Sequence, residues 1–269
     1  MSITVFSLYN DSFNFIRNKS KSFFSIALLV TLIYLLLSHF FSITPADLQA
    51  IDSKYQTNIA ELTFSPNAMG SEQQVNNLLN ELESLPSETF SALSADFMPL
   101  LFKEFAPALL VPILLTTWAM TFILSVVNGQ QYSFSEVMSR SLPLLPRMIR
   151  LSHVSGMIVV IGLNFLLVPG LFFYFAFTLA PIILMTRNYG VFASLSASMK
   201  FFLRYPGAVS SGVFFSIAMA MFNWFVLASL LSAINIPILT LFLLQLINCM
   251  IAIFFMLYFY RLYTSVKLP

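Results

Sequence analysis

Three amide side chains lie within the last two long apolar stretches of the chain. Asn223 lies in the first of these stretches, and Gln245 and Asn248 lie in the second. At about 1.5 Å of helix rise per residue, all three fall at similar depths, roughly 10–15 Å from the connection between the stretches. Hydrogen bonding is the chemistry open to them, so we expect Asn223 to bond Gln245 or Asn248 across the two helices. The alternative left open is that these amides line a path for a polar solute.

Small side chains accompany the amides on the same helix face. Gly212, Ser216 and Ala220 recur at every fourth residue ahead of Asn223. A repeat of small residues at this spacing lets two helix backbones approach closely in a membrane. We therefore expect these residues to pack the last two helices together.

Nothing in the sequence points to a catalytic, cofactor-binding or metal-binding site. The two histidines, His39 and His153, fall near opposite faces of the membrane and cannot share a metal ion. The single cysteine, Cys249, has no partner for a disulfide or a metal site. There is no phosphate-binding loop, zinc-ligand spacing or nucleophile elbow. We therefore predict a protein that is not an enzyme.

Composition indicates an integral membrane protein. Of 269 residues, 58% are hydrophobic and only 9% are charged, whereas a soluble domain has about 25% charged residues. The apolar stretches predict six transmembrane helices, because about 20 apolar residues span the hydrocarbon core. Their expected limits are residues 23–41, 105–127, 151–168, 171–185, 208–231 and 238–260.

The distribution of basic residues decides between two interpretations of residues 151–185. A turn at Pro169 and Gly170 gives two crossings and puts 11 of the 13 Lys and Arg on one side. A single crossing would split them 6 to 7. Since basic residues concentrate on the cytoplasmic side of membrane proteins, we predict the turn. The eleven cytoplasmic bases are then Arg17, Lys19, Lys21, Arg140, Arg147, Arg150, Arg187, Lys200, Arg204, Arg261 and Lys267.

The predicted fold class is all-α, a polytopic membrane protein with six transmembrane helices arranged as three hairpins and both termini cytoplasmic. Apolar residues at helical spacing predict a cytoplasmic-side amphipathic helix before each hairpin. These stripes are Phe6, Tyr9, Phe13 and Ile16, then Phe134, Met138, Leu142 and Leu145, then Phe192, Leu195, Met199 and Phe202. Residues 42–96 hold eight of the eleven acidic residues. We expect them to form an acidic periplasmic loop of a single integral membrane domain, 1–269.

The amphipathic segments suggest how the protein interacts with its surroundings. Ser133 and Glu136 have capping-box spacing at the start of the middle segment. Basic residues follow each stripe, and we expect them to contact anionic lipid head groups on the cytoplasmic side. The expected partners are thus membrane lipids and an unidentified protein, and nucleic acid is excluded. The leading hypothesis is a structural, interaction or lipid-contacting protein; the alternative is a transporter or channel for a neutral or amphiphilic solute.

An ordered set of short motifs runs along nearly the whole chain. The set comprises Met1-Ser2-Ile3-Thr4, Phe15-Ile16-Arg17-Asn18, Ser71-Glu72-Gln73-Gln74, Val168-Pro169-Gly170, Leu179-Ala180-Pro181, Gly190-Val191-Phe192-Ala193-Ser194 and Arg261-Leu262-Tyr263. In this order the motifs resemble the YciC-type inner-membrane protein family of gammaproteobacteria, which is uncharacterised. The resemblance implies a six-span protein of the bacterial cell inner membrane with no established biochemical activity and no catalytic residues to carry over.

Overall fold

A computed structural model describes residues 5–41, 43–55, 87–130, 132–227, 229 and 237–266. Every regular element in these ranges is helical, and none of the described residues forms a strand. The chain divides into two compact units, one of residues 1–33 and 110–269 and the other of residues 34–109. Part of the predicted acidic loop, residues 56–86, lies outside the described residues, as does the outer end of the fifth predicted crossing.

The described residues form eleven α-helices. They are α1 (Val5–Asn18), α2 (Ser20–Phe41), α3 (Pro45–Tyr55), α4 (Ser87–Val127), α5 (Phe134–Ser141), α6 (Leu145–Phe165), α7 (Leu167–Phe177), α8 (Ala180–Arg187), α9 (Val191–Arg204), α10 (Pro206–Phe222) and α11 (Pro237–Ser265). A 3₁₀ turn, Leu142–Leu144, joins α5 to α6, and a π-helical turn, Asn223–Leu227, follows α10. The capping box predicted for Ser133 and Glu136 is confirmed at the start of α5.

Six helical stretches of the described chain are long and apolar enough to cross a membrane. They are Ser20–Phe41, Ala106–Val127, Phe134–Phe165, Leu167–Arg187, Pro206–Val226 and Ile238–Ser265. The prediction of an all-α protein with six such helices is therefore confirmed.

The break between the third and fourth stretches lies at Leu166, three residues before the predicted turn at Pro169 and Gly170. Leu166 has an extended backbone with φ −161° and ψ 143°, and its N–H donates to the carbonyl of Gly162 at 3.1 Å. Pro169 lies in the first turn of α7, where its missing N–H removes no bond within the helix. The fourth stretch therefore begins earlier than predicted, and at 21 residues it spans about 31 Å.

Two glycines allow α6 and α7 to approach each other closely. A Cβ atom on Gly170 would lie 2.4 Å from Leu163 Cγ and 2.6 Å from Leu163 N, and one on Gly162 would lie 3.0 Å from Gly170 Cα. These distances are shorter than van der Waals contact. Only glycine therefore fits at Gly170 without displacing the neighbouring helix.

Aromatic stacking attaches α1 to the end of α11. The ring of Tyr9 stacks on Tyr258 with centroids 4.6 Å apart and on Phe254 at 6.0 Å. Further along α1, Phe15 lies beneath the guanidinium of Arg261, which is 5.4 Å from the ring centroid. These contacts add offset-stacking and cation–π energy to the burial of apolar surface. Tyr9, from the predicted amphipathic stripe, thus contacts protein.

The unit of residues 34–109 contains an ion pair between α3 and α4. Lys103 Nζ lies 2.9 Å from Asp47 Oδ2. The backbone N–H and the hydroxyl of Thr44 both donate to the same carboxylate at 2.8 Å. The Thr44 backbone bond, followed by Lys103, lowers the pKa of Asp47 to about 2. The carboxylate at the start of α3 therefore stays ionised at neutral pH and holds Lys103.

The tight contact at Gly170 predicts different outcomes for two glycine substitutions. Gly170→Ala should destabilise the protein by about 1–3 kcal/mol, because the methyl group would overlap the backbone of Leu163. Gly156→Ala is the matched control, since a Cβ there meets nothing within 4 Å. It should stabilise α6 by about 0.5–1 kcal/mol. Free energies of unfolding in mixed micelles would measure both changes, and equal tolerance of the two substitutions would contradict the described packing.

Candidate functional site

A buried amide contact joins the end of α10 to α11. Asn223 is only 1% exposed, and its Nδ2 atom donates to the carbonyl of Leu244 at 3.1 Å and to Asn248 Oδ1 at 2.7 Å. Asn223 opens the π-helical turn, and such turns often occur at functional positions within helices. The contact gives both amide hydrogens of Asn223 a hydrogen-bond acceptor.

The other residues predicted for this site lie either in the contact or close to it. Gln245 does not bond Asn223; its Nε2 atom instead lies 3.8 Å from Cys249 Sγ, one turn along the same helix. Ser216, Ala220 and Asn248 line an open groove of about 470 Å³. The other residues lining this groove are Met221, Trp224, Phe225, Ile251 and Ala252. The structure therefore brings Asn223 and Asn248 together and leaves Gln245 outside the pair.

Gly212 allows α10 and α11 to pack closely. A Cβ atom at this position would lie 2.5 Å from Tyr258 Cε1 and 2.9 Å from Phe259 Cε1. The hydroxyl of Tyr258 donates to the carbonyl of Ala208 at 3.1 Å, so the buried phenol has a partner. The small residue expected to permit close approach thus faces the largest fully buried side chain of α11.

A second buried contact has no clear signal in the sequence. The hydroxyl of Thr31 on α2 donates to the carbonyl of Ala27 at 2.8 Å and lies 3.8 Å from Cys249 Sγ on α11. Thr31 stands alone among apolar residues, and a single hydroxyl there usually bonds its own helix. Periodicity alone therefore gave no reason to join α2 to Cys249.

Two arginines near helix ends donate hydrogen bonds to polar side chains of other segments. Arg147 donates to Asn188 Oδ1 at 2.5 Å, and Asn188 adopts the left-handed conformation, φ 52°, that ends α8. Arg187 Nε donates to the hydroxyl of Tyr263 at 3.2 Å. These arginines belong to the predicted basic side, and they link its connections to the adjoining helices.

Neither histidine forms part of a recognisable reactive cluster. Within the described ranges, no group of three or more His, Cys, Asp or Glu side chains could hold a metal ion. His153 Nδ1 lies 2.8 Å from the carbonyl of Ile149 on its own helix. His39 packs its ring 5.8 Å from that of Phe40. The chemistry that the described side chains offer is hydrogen bonding, aromatic packing and cationic contact.

Six apolar helices, each long enough to cross a membrane, define a multi-pass helical membrane protein. Residues 1–265 match the uncharacterised protein family UPF0259, and the chain belongs to that family. The family resemblance in the sequence motifs is thereby confirmed. No solved structure matches the chain.

Curated relatives carry the same description. A UPF0259 membrane protein of Serratia proteamaculans (strain 568) is 32% identical over 206 residues, which cover 74% of each chain. One from Yersinia pestis (strain Pestoides F) is 31% identical over 207 residues, covering 74% of this chain and 72% of the relative. A relative from Yersinia pseudotuberculosis serotype O:1b (strain IP 31758) has the same identity and coverage. The chain is thus similar to membrane proteins of an uncharacterised family over most of its length.

Two intramembrane asparagines should respond differently to truncation. Asn223→Ala should destabilise the protein by about 1–2 kcal/mol, because it removes bonds that join two helices. Asn164→Ala is the control, since Asn164 is exposed and donates only to Val160 of its own helix at 2.9 Å. We expect its cost to stay below about 0.5 kcal/mol. Unfolding in mixed micelles measures both; an equal loss would show that the interhelical bond adds nothing.

Proposed function

We propose that this protein is a non-enzymatic protein of the bacterial inner membrane that acts through contacts with lipids and with partner proteins. Its six crossings form three hairpins, with the termini and the basic connections in the cytoplasm. The amphipathic helices before the hairpins are α1, α5 and α9. Residues 1–269 form one integral membrane domain, and the acidic segment 42–96 lies in the periplasm.

Charge supports this orientation. Lys and Arg retain the 11 to 2 division when the break moves from Pro169 to Leu166, since no basic residue lies between these positions. The positive-inside rule then assigns the basic connections to the cytoplasm. The cytoplasmic leaflet is the one that carries anionic lipids, so this orientation brings the cations to their complementary surface.

The observation that carries the proposal is that some apolar side chains of α1 and α9 are exposed, whereas others in the same stripes pack against the protein. Phe6 and Phe13 on α1 are 73% and 59% exposed, and Phe192 on α9 is 76% exposed. Tyr9 and Leu195 belong to the same stripes but face protein: Tyr9 stacks on α11, and Leu195 is 5% exposed. Each helix also ends with an arginine in its last turn. Exposed aromatics beside arginines suit the boundary between head groups and acyl chains.

A transporter or channel for a neutral or amphiphilic solute is the second candidate. The groove beside Asn248 favours it, because its volume of about 470 Å³ is in the range of small-molecule sites. Ser216 and Asn248 are the polar residues that line this groove. A separate cavity of about 130 Å³ has hydroxyls from Thr116, Ser152 and Ser155 in its wall.

Photo-crosslinking tests the lipid contacts of the leading proposal. A photoreactive benzoylphenylalanine at Phe13 or at Phe192 should yield phospholipid adducts on irradiation in native membranes, because both side chains are exposed. The same group at Leu195 is the matched control and should react within the protein. Mass spectrometry of the purified chain identifies the adducts. The proposal would be contradicted if no lipid adducts formed at Phe13 and Phe192, or if they were equally abundant at Leu195.

A further inference from the structure

A small cavity lies between the start of α2, the end of α4 and the segment that leads into α5. Its volume is about 140 Å³. The residues around it are Lys21, Ser22, Ser25, Ile26, Phe122, Tyr132, Phe134 and Val137. One wall therefore carries an ammonium group and three hydroxyls, and the other is aliphatic and aromatic.

The polar wall presents hydrogen-bond donors that the protein leaves available. Among the described residues, Lys21 has no acidic partner. The hydroxyl of Ser22 likewise has no partner there, whereas Ser25 donates to the carbonyl of Lys21 at 2.9 Å. The phenol oxygen of Tyr132 accepts a hydrogen bond from Arg140, so its own proton remains free to donate. Lys21, Ser22 and Tyr132, which all line this small cavity, thus each carry a hydrogen-bond donor that is available to a ligand.

The charge around the cavity is positive. The guanidinium of Arg140 lies 4.0 Å from the centroid of the Tyr132 ring and adds to the charge of Lys21. The carboxylate of Glu136 is nearby on α5, but it accepts from the backbone N–H and the hydroxyl of Ser133 at 2.7 and 2.9 Å. Lys21 and Arg140 thus bring two positive charges to the cavity. The nearby carboxylate of Glu136 already accepts the hydrogen bonds that cap α5. An anion is the ligand that this balance favours.

The number of donors around the cavity indicates which kind of anion it suits. A phosphate group has several acceptor oxygens pointing in different directions, so it can accept from an ammonium and two hydroxyls together. The apolar wall, formed by Ile26, Phe122, Phe134 and Val137, suits the chain of an amphiphile. Phe134 is also 39% exposed and so extends apolar surface beyond the cavity.

We infer that this cavity binds the phosphate of an anionic phospholipid head group. Lys21 pairs with the phosphate, and Ser22 and Tyr132 donate to its oxygens. Arg140 holds the phenol in place and so acts as a positioning residue. The inference rests on the proposed lipid-contacting function, and it assigns one of those contacts to a defined site.

Equilibrium titration of the full chain in detergent tests the site. The probe is phosphatidylglycerol with a fluorescent acyl chain, compared with phosphatidylcholine bearing the same chain. Lys21→Gln should weaken phosphatidylglycerol binding by about tenfold or more, because it removes the ion pair. Tyr132→Phe should weaken it about threefold to tenfold by removing one donor. Lys200→Gln is the matched control: it removes a charge from an exposed position of α9 and should change binding less than about twofold.

Several results would overturn the inference. They are unchanged binding in Lys21→Gln, an equal loss in Lys200→Gln, and equal affinity for phosphatidylcholine. Displacement of the labelled lipid by excess inorganic phosphate would assign the cavity to a free phosphate, whereas retention of the lipid supports the head-group assignment. Thermal unfolding of each variant confirms that it is folded.

This test and the test of the proposed function can fail independently of each other. Titration in detergent does not depend on membrane orientation or on the exposed aromatics of α1 and α9. If Lys21→Gln weakens phosphatidylglycerol binding as expected but photo-crosslinking gives no lipid adducts at Phe13 and Phe192, the result counts against the proposed function. If the lipid adducts form but Lys21→Gln leaves phosphatidylglycerol binding unchanged, the result counts against this site alone.

Discussion

Hydrocarbon excludes both charge and unpaired polar groups, and this exclusion governs the arrangement of the whole chain. It concentrates cations at the ends of the apolar stretches, where Arg187 and Arg261 find phenol and aromatic partners. It also directs hydroxyls inside the stretches back to their own helices. Thr117 and Thr121 donate to carbonyls one turn earlier at 2.6 and 2.7 Å. Each helix thus satisfies most of its own polar groups, and helix association is left to shape and to a few specific contacts.

Those few contacts combine close approach of the backbones with a small number of interhelical hydrogen bonds. Glycines occur where α6 meets α7 and where α10 meets α11, and the facing side chains occupy the space that a Cβ atom would need. Once the backbones are this close, the amide of Asn223 reaches both Leu244 and Asn248. Packing therefore brings the polar pair together, and the pair in turn fixes the register of the two helices. Because these bonds form inside the protein, they stabilise the fold and keep the amide hydrogens of Asn223 out of contact with hydrocarbon.

The sequence predicted the helical class and the six apolar stretches, because length and hydropathy reflect the bilayer directly. Through helix rise, it also led to the expectation that Asn223 bonds Gln245 or Asn248, and the structure contains the bond to Asn248. It misplaced the break at Pro169, since a proline in the first turn of a helix and one in a connecting turn look alike in one dimension. The contact of Thr31 with Cys249 and the cavity beside Lys21 depend on how helices distant in the chain pack, and no local pattern encodes that.

We propose that the connections holding 11 of the 13 Lys and Arg lie on the cytoplasmic side, with a reversal of the chain at Leu166. Fusions of a fluorescent protein and of alkaline phosphatase after Asn128, Tyr189 and Pro269 test it directly. We expect cytoplasmic fluorescence and no phosphatase activity at all three positions, with the reverse after Ser71 in the acidic segment. Phosphatase activity after Tyr189 would mean that residues 151–185 cross the membrane once. The Lys and Arg residues would then divide almost equally between the two sides of the membrane, which would contradict the proposed orientation.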